Sequence, residues 1–116
     1  MFFRKKSIKK LQNEPVSQAV IVSFDTIVET LKATQGIVSD ATDRLDEPLE
    51  LAGAAYDGDE YGDDECNLYF YGPSAEKIYD IILPELKKMS IRPIRFTLRF
   101  GDVHDKSAKE EQRRIV

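Results

Sequence analysis

Glu65-Cys66-Asn67-Leu68-Tyr69-Phe70-Tyr71 sets Cys66, Leu68 and Phe70 against Asn67, Tyr69 and Tyr71 for a full strand length, then stops at Gly72-Pro73. A two-residue period of this kind is the mark of a half-buried strand. Its flanks are equally restrictive. Upstream, Asp57 to Glu65 is acidic and broken by Gly58 and Gly62, which predicts a turn; downstream, Ser74 opens a helical pattern. The middle of the chain is therefore expected to be a hairpin that runs into a helix, with the remaining segments arranged around it.

Gln18 to Phe24 is nearly continuous in Ala19, Val20, Ile21, Val22 and Phe24, as a strand with neighbours on both sides requires. From Ile27 the period lengthens, and Ile27, Val28, Leu31, Val38, Ala41, Leu45 and Leu49 share one helical stripe. Gly36 and Pro48 fall inside it, at about 1 and 3 kcal/mol against alanine, so two segments or one bent helix ending at Gly53 are expected. Ala54 to Asp57 is a short strand before the acidic turn. After Ser74, the stripe Ala75, Ile78, Tyr79, Ile82, Leu86 and Met89 forms a second helix, with a kink expected at Pro84. Past Arg92-Pro93, Ile94, Phe96, Leu98 and Phe100 alternate with Arg95, Thr97 and Arg99, giving a last strand with one apolar and one basic face.

The order strand, helix, strand, strand, helix, strand predicts an α+β chain of the split βαβ, or ferredoxin-like, type: a four-stranded antiparallel sheet with two helices on one face. The last strand should lie beside the first, the first beside the third, and the third beside the second. Residues 1–15 are read as a flexible basic leader, 16–101 as the single domain and 102–116 as a polar tail. The leader mixes Phe2, Phe3, Ile8 and Leu11 with Arg4, Lys5, Lys6, Lys9 and Lys10, a composition that also suits a short amphipathic helix. A solvated terminus is the reading taken, because chain ends order only when something ties them down.

Charge is zoned. Residues 1–15 carry five basic and one acidic side chain, 16–80 three and fifteen, and 81–116 nine and five, which together give the net −4. Zoning of this kind acts on association with charged partners more than on folding. The single cysteine, Cys66, allows no internal disulfide and falls on the apolar side of its strand, as suits a reducing, cytoplasmic setting. No run of about 18 apolar residues is available for a membrane span.

The run Asp57-Gly58, Glu60-Tyr61-Gly62, Glu65 to Pro73 with Ala75, and the later Arg99-Phe100-Gly101 resembles a group of small stand-alone bacterial proteins that have no assigned activity. The likeness covers roughly residues 40–101. It implies a ferredoxin-like fold in a bacterial cytosol and carries over no functional residue. The format, a small acidic single domain, is also similar to the immunity proteins that neutralise bacterial toxins, a likeness of composition alone.

Asp57, Asp59, Gly62, Asp63 and Glu65 match positions of a calcium loop, but Leu68 stands where the bidentate glutamate is needed, so no metal and no cofactor is expected. One histidine in the tail and one cysteine in a core strand supply no nucleophile with a base, and an enzyme is the least favoured class. Asn67, Tyr69 and Tyr71 with Arg95 and Arg99 would form an open sheet face like that of RNA-recognition domains, yet the basic-glycine start of their signature is missing. Nucleic acid is accordingly the alternative partner, with a homodimer through the same face also open. The favoured reading is a non-catalytic module that binds a basic, toxin-like protein through an acidic arc. That arc joins Asp43, Asp46, Glu47 and Glu50 of the first helix to Asp57, Asp59, Glu60, Tyr61, Asp63, Asp64 and Glu65 of the turn, with Tyr56, Tyr61, Tyr69 and Tyr71 as exposed anchors.

Overall fold

A computed structural model describes residues 2–5, 18–25, 31–62, 64–102 and 105–115, and among these residues six antiparallel strands and two helices make up the fold. In chain order they are β1 (Phe2–Lys5), β2 (Gln18–Asp25), α1 (Leu31–Leu51), β3 (Ala55–Tyr61), β4 (Glu65–Gly72), α2 (Ala75–Lys87), β5 (Ile94–Arg99) and β6 (Glu110–Ile115). The strands lie in the order β1-β3-β4-β2-β5-β6, and every pairing is antiparallel.

The core is the side of the sheet that faces the helices. Val20, Val22 and Phe24 of β2, Cys66, Leu68 and Phe70 of β4, and Ile94, Phe96 and Leu98 of β5 are all fully buried there. They meet Val38, Ala41, Leu45 and Leu49 from α1 and Ala75, Ile78, Ile82 and Leu86 from α2. At about 25 cal/mol per Å² of apolar surface removed from water, this interdigitated layer is the main source of stability. The expected stripes thus hold, apart from Ile27 and Val28, which lie outside the described residues.

Each helix is closed by local chemistry. Gly53 (φ 72°) takes the left-handed position after α1, and the Ala54 and Gly53 amides donate to the Leu49 and Glu50 carbonyls at 2.8 and 3.0 Å. Pro48 lies within α1 and Pro84 within α2, each on the exposed side, and both helices continue past them. Ser74 Oγ accepts from the Lys77 amide at 3.2 Å, and Gln18 Oε1 of β2 accepts from the Ala75 amide at 2.8 Å. At the other end the Arg92 guanidinium donates to the carbonyls of Lys87, Met89 and Ile91 at 2.6 to 2.8 Å.

Two expectations are corrected. The sheet has six strands where four were expected: Phe2–Lys5, read as leader, pairs with β3, and Glu110–Ile115, read as tail, pairs with β5. Neither segment carries a strand-like apolar alternation, because an edge strand is held by its backbone ladder and by one face only. The acidic stretch is not one long turn either. β3 runs through Asp57, Asp59 and Glu60 to Tyr61, and the reversal is confined to residues 62–64. Arg44 of α1 pairs across to α2, at 2.7 Å from Glu85.

Candidate functional site

A single inserted residue decides where the acidic stretch goes. In the β3–β4 ladder Tyr56 stands opposite Phe70 but Gly58 stands opposite Tyr69, so Asp57 is a bulge with no counterpart. Gly58, at φ 134°, supplies the backbone conformation that the bulge needs. Beyond it every side chain changes face. Asp59 then lies opposite Leu68 and Tyr61 opposite Cys66, both on the helix side.

Asp59 is accordingly fully buried and accepts a hydrogen bond from the Tyr56 hydroxyl. Tyr56 and Tyr61, expected as exposed anchors, are 3% and 2% exposed, and Asp57 is 9% exposed. The Tyr56 ring packs at 5.2 Å on Phe70. Burial of a carboxylate is costly unless it is hydrogen-bonded, and the hydroxyl three residues back supplies one such bond, to Oδ2. Asp57, Asp59 and Tyr61 therefore leave the expected contact surface; Asp63 lies outside the described residues.

The acidic residues that remain divide between two faces. Glu60 stands opposite Asn67 and Glu65 opposite Asp25, which places them on the open side of the sheet, away from the helices. Asp64 is exposed in the reversal itself. Asp43, Asp46, Glu47 and Glu50 are all exposed on α1, on the side opposite its buried Ala41, Leu45 and Leu49. The helix layer separates the two groups, so the arc is not one surface. Only the α1 group forms a stripe on one element, spaced three and four residues apart over two turns.

On the open face the sequence reading places Asn67, Tyr69, Tyr71, Arg95 and Arg99 correctly, and β2 runs between the tyrosines and the arginines. The rows are Tyr71, Ala19, Arg99; Tyr69, Ile21, Thr97; and Asn67, Ser23, Arg95. Ser23 Oγ donates to Asn67 Oδ1 at 2.6 Å. Arg95 reaches Asp25 at 3.2 Å and Glu65 at 3.4 Å, while Arg99 holds Glu110 at 2.8 Å and donates to the Asp105 carbonyl. Burial, then the neighbouring Glu60, raises the Tyr69 phenol above its ordinary value, and burial, then Asp57, does the same for Tyr71. The face is thus a self-paired polar surface, with its arginines already turned to carboxylates.

Two further clusters were not legible in the sequence. Arg113 of β6 reaches under the sheet edge to hold both oxygens of Glu76 at 2.7 and 2.5 Å, and its guanidinium lies 4.6 Å from the centroid of Tyr79. Tyr79 in turn meets Phe96 edge-on at 5.1 Å. A depression of about 410 Å³ is lined by Arg95, Gln112, Arg113 and Arg114 along β6. Another, of about 230 Å³, lies between the helices and includes Asp40, Arg44 and Lys88. Among the described residues no three histidine, cysteine or carboxylate side chains gather as metal ligands, and no helix is long and apolar enough to cross a membrane.

No family model, no curated protein and no solved structure matches the chain.

Proposed function

We propose that the chain is a non-catalytic binding module that takes a basic protein partner on the solvent face of α1, in the manner of an immunity-type inhibitor of a toxin or effector. The observation that carries this reading is the stripe Asp43, Asp46, Glu47 and Glu50, exposed on one side of α1 with Arg44 drawn toward Glu85 of α2. Like charges three and four residues apart weaken a helix by about 0.2–0.5 kcal/mol per pair. A basic surface would turn that repulsion into attraction and speed the encounter.

With the proposal goes a reading of the fold. The inner order β3-β4-β2-β5, with α1 and α2 over one face, supports a split βαβ unit of ferredoxin-like type that has gained a strand at each edge. Such a frame presents its helix layer to a partner as a rigid surface.

The test uses three immobilised forms of the full chain in a lysate of the host: wild type, the α1 variant Asp43→Asn, Asp46→Asn, Glu47→Gln, Glu50→Gln, and the hairpin variant Glu60→Gln, Asp64→Asn, Glu65→Gln. Quantitative mass spectrometry of the bound fraction is expected to find a basic protein on the wild type and hairpin variant that is lost from the α1 variant. Loss from the hairpin variant alone, or equal retention on all three, would contradict the assignment to α1.

A further inference from the structure

β6 ends the sheet, and among the described residues no strand pairs with its outer edge. An open edge presents a row of unpaired backbone donors and acceptors, which proteins usually protect with charges. Here the charges do not have one sign. Glu110-Glu111-Gln112-Arg113-Arg114 reads acidic, acidic, neutral, basic, basic. Reversed and laid against itself, the run sets each glutamate opposite an arginine.

We propose that a second copy of this chain pairs with β6 edge to edge, antiparallel, with Gln112 opposite Gln112 of the second copy. The backbone and the side chains select the same register. The Phe100 amide donates to the Lys109 carbonyl at 2.9 Å, so Lys109, and with it residues 111, 113 and 115, turn their backbone groups toward β5. Residues 110, 112 and 114 turn theirs outward. Opposed residues in an antiparallel ladder either both bond or both do not, which excludes any register that sets an even-numbered residue against an odd one. Of the three central registers left, one centres on Glu111 and opposes it to itself, and one does so with Arg113. Only the register centred on Gln112 opposes Glu110 to Arg114 and Glu111 to Arg113, each twice across the two-fold axis.

That axis stands perpendicular to the sheet, so both helix layers fall on the same side and the two sheets join as one of twelve strands. The faces also agree. Arg114 stands opposite Arg95 on the open side, and among the described residues it has no ion-pair partner within its own chain. Arg113 stands on the helix side, where it holds Glu76 and Glu111 of its own chain, and Glu111 of the second copy would come opposite it. The depression lined by Arg95, Gln112, Arg113 and Arg114 lies along this strand, where the acidic end of the second copy would come.

The test is sedimentation equilibrium of the full chain, wild type and two variants, with far-UV circular dichroism as the check on folding. Gln112→Pro removes an outward N–H that only a second copy would use, and leaves the β5 ladder intact. Arg114→Glu puts like charges opposite one another. The wild type is expected to be a dimer and both variants monomers with unchanged spectra. A third variant, Gln112→Cys, is expected to oxidise to a disulfide dimer, since opposed residues of a bonded pair have Cα atoms about 5.5 Å apart, within disulfide reach, and Cys66 is buried. A wild type that stays monomeric at high protein concentration would overturn the proposal, as would a folded dimer that survives both edge substitutions or a Gln112→Cys chain that does not cross-link.

Discussion

Asp59 shows most clearly how one residue's surroundings set its role. In composition it belongs to an acidic turn, yet it lies in the core with the Tyr56 hydroxyl bonded to it. Removing the donor takes a hydrogen bond from a buried carboxylate, so Tyr56→Phe is expected to lower stability by about 1–3 kcal/mol in urea melts, although it deletes only one oxygen. Gly72 is constrained by space: a Cβ there would lie 2.7 Å from Ala54 Cβ and 3.0 Å from Ala54 Cα. Gly72→Ala should therefore destabilise the fold by about 1–3 kcal/mol, the usual cost of overpacking, and lower the melting temperature accordingly. Cys66 has no exposed surface, so a thiol reagent should label it only as fast as the chain unfolds. Rapid labelling of the folded protein would contradict the facing assigned to β4.

Among the elements, those with strong periods were legible in the sequence and those held by backbone pairing were not. The alternation in β4 and β5, the run in β2 and the stripes of α1 and α2 predict the buried faces residue by residue, because a half-buried element must segregate its apolar side chains. β6 has no such pattern, since one of its faces and one of its edges meet solvent. The bulge at Asp57 was equally hidden, and that single insertion puts Asp59 and Tyr61, expected on an exposed turn, on the helix side of the sheet. For this reason the candidate site was read only in part: the α1 carboxylates and the open-face residues lie as expected, while half of the turn lies inside.

Arg113 adds a side-chain anchor for β6 to its backbone ladder with β5. Its hydrogen bonds hold the Glu76 carboxyl below the usual carboxylate range, and those from Arg44 and then Lys88 do the same for Glu85. A depressed carboxylate contributes stability above its unfolded pKa, about 4.3, and loses it as pH falls through the folded value. Thermal melts should thus drop below about pH 4, and Glu76→Gln should flatten part of that acid limb. Arg113→Ala is expected to speed amide exchange across Glu110–Ile115 while β2 and β4 keep their protection. Equal acceleration in all strands would mean that β6 is not a separately held element.

At the scale of the molecule, charge and fold are arranged in layers. The apolar layer lies between helices and sheet, the self-paired polar face lies beneath, and the outer side of α1 carries the acidic stripe. On the proposed function this stripe, rather than the hairpin, steers a basic protein to the chain. This is tested most directly by the association rate constant of the retained partner, measured by stopped flow at low and at physiological salt for wild type and the α1 variant. Steering predicts that the wild-type rate falls by about tenfold or more as salt is raised, and that the α1 variant binds at low salt no faster than the screened wild type. A variant that associates at the wild-type rate at low salt would show that the α1 carboxylates do not direct the encounter, and would contradict the account.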